Sequence, residues 1–138
     1  HAVWMILTLE SGSSSQWTRS GCTQSNYKCV NEATPNGDTS YVYTSVAGNK
    51  DLYALGDNSA TGTINAVTVT VVGRALSASS CEPNCNIALK LRLGGGVTGE
   101  SPVKSVGTTY ESVSHTWTTK PGGGAWTDAD LDSLQGSL

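Results

Sequence analysis

The chain has 138 residues, the size of one domain, with 37% hydrophobic and only 14% charged residues, against roughly 25% charge in ordinary soluble domains. Its 11 acidic and 8 basic residues give a net charge of -3 with no block of either sign, which excludes the basic patch or stripe of a nucleic-acid binder. No apolar run reaches the length of a membrane span.

Along the chain, alternation with period two dominates. Residues 3–9, with Val3, Trp4, Met5, Ile6, Leu7 and Leu9 around a single Thr8, form a nearly continuous apolar run. Such a run suits a strand covered on both faces. Residues 11–15 read as a loop, and residues 17–23 lead into a first cysteine loop. Pro35-Asn36-Gly37-Asp38 is a strong turn signal. It feeds a strand over 40–46 with Tyr41 and Tyr43 on one face and Val42 on the other, and Gly48-Asn49-Lys50 turns again into a strand over 51–55.

Residues 64–75 are rich in β-branched side chains, with Val67, Val69 and Val71 on one face against Thr68, Thr70 and Val72. Residues 86–93 alternate cleanly, placing Ile87, Leu89, Leu91 and Leu93 inward and Ala88, Lys90 and Arg92 outward. Gly94-Gly95-Gly96 ends that strand. A last strand over 112–119 carries Val113, His115 and Trp117 on one face. A short helix follows: Thr127 can cap it, Asp130 lies three residues later in capping-box spacing, and Leu131 and Leu134 share a face. Asp128, Asp130 and Asp132 suit its positive N-terminus. They also occupy the first, third and fifth places of a calcium loop, but the sixth place is Ser133 where glycine is required, so the helix reading is preferred. Six to eight short strands with Gly/Pro turns and no long helical pattern predict an all-β protein. The expected architecture is an antiparallel β-sandwich with one short C-terminal helix, forming a single domain over 1–138.

The four cysteines fall in two close pairs, Cys22 with Cys29 and Cys81 with Cys85. Four cysteines allow three pairings, and local pairing is favoured because both intervening loops are short and rich in turn formers. A four-thiolate zinc site would use two-residue spacings, which neither pair has. Disulfides imply an oxidising compartment, and bridges across such short loops pin loops rather than the whole fold. Ser and Thr make up about a quarter of the chain, a composition common in extracellular β proteins. The first residue is His1, which reads as a mature end left by removal of a leader, although a fragment boundary would look the same. No Asn-x-Ser/Thr acceptor occurs, while O-glycosylation stays open.

The search for catalytic chemistry is mostly negative. Neither triple glycine is followed by the Lys and Ser/Thr of a phosphate loop. No Gly-x-Ser-x-Gly elbow is present, and nothing sets two of the five glutamates across a glycosidic bond. One metal reading exists. Lytic polysaccharide monooxygenases are secreted β-sandwiches that bind copper through a leading histidine and a second histidine; His1 and His115 have the right residue types, and Tyr41, Tyr43, Tyr53 or Tyr110 could stand near the axial position. Beyond His1-Ala2 no stretch resembles that family, and His115 shares a strand face with Val113 and Trp117, where a packed histidine is the commoner outcome. No resident metal or cofactor is therefore expected.

A broader resemblance runs from about Gln16 to Leu134. It is carried by Asn31-Glu32-Ala33-Thr34-Pro35-Asn36-Gly37-Asp38-Thr39-Ser40-Tyr41-Val42, Lys50-Asp51-Leu52-Tyr53-Ala54-Leu55 and Ile64-Asn65-Ala66-Val67, with the closing Trp117-Thr118-Thr119-Lys120-Pro121 and Ala125-Trp126-Thr127. These segments resemble a jelly-roll-like β-sandwich module of phage virion structural proteins and of secreted bacterial and archaeal surface proteins. The resemblance implies a structural role without catalysis. In that module a further strand follows the short helix and completes a sheet, whereas here the chain stops at Leu138, just past the helix. An incomplete sheet leaves unpaired backbone groups as a template for another chain, and the apolar residues of 1–10 are a natural insert.

The expectation is accordingly a structural, non-enzymatic protein, extracellular, on a cell surface or on a virion. Its partners are copies of itself, and its route to a filament is donation of the strand bearing Val3, Trp4, Met5, Ile6, Leu7 and Leu9. That run filling its own sandwich is the competing reading. The alternative function is a carbohydrate-binding module for surface glycans, using Trp17, Tyr41, Tyr43, Trp117 or Trp126 to stack on sugar rings.

Overall fold

The structure, a computed structural model, describes residues 9–23, 25–31, 34, 36–46, 49–55, 63–76, 85–94 and 96–137. Within them the alternating segments become strands β1 (Leu9–Ser15), β2 (Thr18–Ser20), β3 (Tyr41–Tyr43), β4 (Asp51–Leu55), β5 (Val67–Gly73), β6 (Asn86–Ile87), β7 (Lys90–Arg92), β8 (Thr98–Glu100), β9 (Lys104–Ser105), β10 (Glu111–Trp117) and β11 (Gln135–Ser137), with one short helix, α1 (Asp128–Asp132). A five-stranded sheet has the order β1-β4-β11-β7-β8, and three further pairs are β10-β5, β2-β3 and β6-β9. Every one of these pairings is antiparallel. The protein is all-β in class, as expected.

The core forms where the five-stranded sheet meets the helix. Leu91, Trp126, Leu131 and Leu134 are buried together, and Ile64, Val67, Val69, Leu93 and Trp117 pack against them. The indole of Trp126 donates to the Trp117 carbonyl at 2.9 Å, so its one polar atom is satisfied and its ring can be buried. Thr127 caps α1 with a reciprocal capping box through Asp130, as its spacing predicts. Hydrogen bonds from Thr127 and the nearby Lys120 outweigh burial and hold the Asp130 carboxyl below its usual range. The carboxylate closes the cap and faces Lys120, so the expected capped helix is present.

Two glycines are demanded by the backbone. Gly21 has a φ of 76° and lies against the Thr39 carbonyl, where a side chain has no room. At Gly99 a Cβ would come within 2.7 Å of the Pro121 ring, so β8 can pass beside the 117–121 turn only because that residue has no side chain.

Several sequence expectations are corrected. Residues 11–15, read as a loop, form the greater part of β1, and Ser11, Gly12, Ser14 and Ser15 face Ala54, Tyr53, Leu52 and Asp51 across a bulged ladder. The ladder is made by backbone groups, so hydroxyl-rich composition does not forbid it. Part of 17–23 is β2, paired with β3. The strand over 86–93 is divided into β6 and β7, which pair with β9 and β8 respectively. At the break, the Leu89 amide donates to the Ser101 hydroxyl at 2.9 Å while the Ser101 amide donates to the Leu89 carbonyl at 2.8 Å.

The largest correction concerns the end of the chain. The strand expected to be missing after the helix is present as β11, only three residues long. It lies between β4 and β7, with Gly136 opposite Tyr53 on one side and Leu91 on the other. The gap inferred from the sequence is filled by this chain's own residues 135–137.

Candidate assembly surface

The β5–β10 pair is built differently from the rest. Its seven residues on each strand are in continuous register from Glu111 opposite Gly73 to Trp117 opposite Val67. Directly opposed residues share a face, so Val67, Val69 and Val71 stand with Trp117, His115 and Val113. This face is buried or half-buried. The other face presents Thr68, Thr70, Val72, Ser112, Ser114 and Thr116, all exposed, with the Thr68 and Thr116 hydroxyls hydrogen-bonded at 2.7 Å.

Among the described residues no third strand pairs with either side of this ribbon. Its outer backbone amides and carbonyls therefore have no strand partner among the described residues. One end of the ribbon, where Gly73 faces Glu111, is clasped from outside. Arg74, just after β5, reaches the Asp38 carboxylate at 3.2 Å and lies 5.3 Å from the centre of the Tyr110 ring. Tyr110, just before β10, donates to the same carboxylate at 2.6 Å. These hydrogen bonds, from Tyr110 and then Arg74, hold the Asp38 carboxyl below its ordinary value.

The chain just after β1 is firmly anchored. Asp51, at the start of β4, is fully buried. Its two oxygens accept from the Trp17 amide at 2.9 Å, the Asn26 side-chain amide at 2.8 Å and the Tyr53 hydroxyl at 2.9 Å. A buried carboxylate needs such donors to offset desolvation. Burial, and then the adjacent Asp51 charge, pushes the Tyr53 hydroxyl far above its ordinary range. Asn26 also donates to the Trp17 carbonyl at 2.8 Å and opens a single turn of 3-10 helix ending at Cys29. The Trp17 indole donates to the Asn49 carbonyl at 3.0 Å, and the Lys50 amide to the Gln16 side chain at 2.8 Å. Gln16 and Trp17, just after β1, are thus anchored by these four polar contacts to residues 49–51 and 26.

Of the residues expected in the assembly strand, Val3, Trp4, Met5, Ile6 and Leu7 lie outside the described residues. Leu9 is the first residue of β1, opposite Leu55 in the chain's own sheet. That placement makes Leu9 the root of the segment and restricts a donated part to residues 3–8. Cys22 and Cys29 are joined by a disulfide, as their spacing favours. Cys85 is disulfide-bonded as well, and Cys81 lies outside the described residues.

His1, the first of the two histidines weighed for copper, lies outside the described residues. His115 is half-buried in β10, edge-on to Trp117 with ring centres 4.6 Å apart, a packing role. Among the described residues no group of three or more His, Cys, Asp or Glu side chains could hold a metal ion.

The aromatics considered for sugar stacking do not form one platform. Trp126 is core, while Trp17 and Trp117 are half-buried. Tyr41 and Tyr43 form a tilted pair with centres 5.9 Å apart, of which Tyr43 is 49% exposed. A shallow, open depression near Trp17, Arg19, Ser20 and Asn26 adjoins this region.

Comparison with protein-family models, with curated proteins and with solved structures found no match. Sequence reasoning missed two features of this surface. One is the outer edge of β5, unpaired among the described residues, whose signal was present in Val67-Thr68-Val69-Thr70-Val71-Val72-Gly73 as a strand without charge or proline. The other is the buried Asp51, which nothing in the local sequence distinguishes from a solvated turn residue.

Proposed function

We propose that this chain is an extracellular structural protein, of a cell surface or a virion, that self-assembles into a filament by strand donation. The observation that carries the reading is the β5–β10 ribbon, two regular seven-residue strands whose outer edges have no partner among the described residues. The inserting element is residues 3–8, rooted at Leu9. Each Val, Met, Ile or Leu side chain buried there contributes about 1.5–3 kcal/mol, against about 1–2 kcal/mol per residue of backbone ordering. Stable insertion therefore needs the backbone hydrogen bonds of a sheet edge as well as side-chain burial.

The jelly-roll-like sandwich belongs to the same reading, with the ribbon and the five-stranded sheet as its two layers. It is supported by Val67, Val69 and Trp117 packing toward Leu91 and Leu134. The Cys22–Cys29 disulfide supports an oxidising location. No catalytic role is proposed.

The test is electron microscopy of the full chain beside its Ile6→Asp variant. A substitution is preferable to removal of residues 1–10, because Leu9 and Glu10 belong to β1. Filaments in the native chain that disappear in the variant, with the same circular dichroism in both, are the expected result. Monodisperse native monomers, or undiminished filaments of Ile6→Asp, would overturn the reading. The exposed Tyr43 beside Tyr41 favours a second reading, glycan binding, which predicts saturable binding by the monomer that Tyr43→Ala abolishes.

A further inference from the structure

Resting on the strand-donation reading, we infer that the acceptor is the outer edge of β5 and that its occupant is residues 3–8 of a second copy. The argument begins with how each edge is protected. Sheet edges are ordinarily blunted by bulges, short length, charges or proline. On the five-stranded sheet, β1 carries two register shifts, and β8 has three residues, with Glu100 facing Lys90 at 3.5 Å. On the ribbon, β10 carries Glu111, which accepts from the Gly107 amide, and His115. β5 has none of these protections: its seven residues Val67–Gly73 hold no charge and no proline, and its ladder to β10 has no bulge.

The side-chain pattern matches on both faces. In residues 3–8, Val3, Met5 and Leu7 alternate with Trp4, Ile6 and Thr8. Laid beside β5 in one register, the second set, with Ile6 at its middle, extends the half-buried row of Val67, Val69 and Val71. The first set then lies beside Thr68, Thr70 and Val72, covering Val72, which is 42% exposed. Six uncharged residues against a seven-residue uncharged edge leave no charge unpaired at the junction. Because Leu9 is held in the five-stranded sheet while the acceptor lies on the ribbon, donor and acceptor are different surfaces. Such a contact between copies is head-to-tail and propagates unless its rotation closes a ring.

The test mixes two full-length variants in analytical ultracentrifugation. Ile6→Asp removes donation and keeps the acceptor, whereas Val72→Lys puts a charge on the acceptor edge and keeps the donor. Thr70→Lys, on the same exposed face, repeats the second change at another position, and unchanged circular dichroism shows that each variant is folded. Each variant alone is expected to lose polymer by roughly tenfold or more, and an equimolar mixture of Ile6→Asp with Val72→Lys is expected to give a one-to-one dimer without filaments. If both lysine variants polymerise while Ile6→Asp does not, β5 is overturned as acceptor and donation survives. If the lysine variants are monomeric and Ile6→Asp polymerises, the occupant is overturned. A mixture that stays monomeric overturns the complementary roles, and a native chain that never polymerises removes the reading on which they rest.

Discussion

The five-stranded sheet and the β5–β10 ribbon divide the work of the molecule in opposite ways. Strands β7, β8 and β11 have three residues each, yet they enclose the deepest part of the core, with Leu91 at 0% exposure. The ribbon has the longest regular pairing, but its outward face is wholly exposed and its edges have no strand partner among the described residues. Strand length and stability are therefore uncoupled here. Burial against neighbours sets how firmly a strand is held, and edge protection sets what it can still bind.

Four changes put that contrast under pressure. Leu91→Ala leaves a cavity where the sheet, α1 and Trp126 meet, and denaturant unfolding should show a loss of about 3 kcal/mol. A loss under about 1 kcal/mol would mean that the sheet is not the stable half. Asp51→Asn places a donor where three donors converge, and the same measurement should give a loss of about 2 kcal/mol, with faster amide exchange at Trp17 as its local signature. Tyr53 sharpens the same corner through pH. Its folded pKa is raised, so the folded state keeps a proton that the unfolded chain releases above about pH 10. The stability it contributes is complete below that pH and is lost on further alkalisation, by up to about 1.4 kcal/mol per pH unit. Tyr53→Phe should flatten that part of the profile. Thr127→Ala removes the cap of the helix that leads into β11 and should cost about 1 kcal/mol in thermal unfolding.

What the sequence revealed and what it hid follow from which groups form each contact. The faces of β5, β7 and β10 were legible because side chains make them: Val67, Val69, Leu91 and Val113 all stand on the expected side. So was the capping box of Thr127 and Asp130, a short-range side-chain device. β1 over the serines and β11 over Gln135–Ser137 were not, because backbone groups make those ladders and tertiary neighbours choose them. The division of residues 86–93 into two strands depends on Ser101, twelve positions from Leu89, and no local pattern encodes it. On the candidate surface, the proposed donor was visible as an apolar run. The proposed acceptor was not, since an edge is left without a partner only through the arrangement of its neighbours.

The most direct test of strand-mediated assembly is amide hydrogen exchange, resolved along the chain, on assembled native protein and on the folded Ile6→Asp variant. The account predicts that β7 and β11 amides are slow in both, while those of β5 that point away from β10 exchange quickly in the variant and become protected in the assembly. Equal exchange across β5 in the two samples would contradict it.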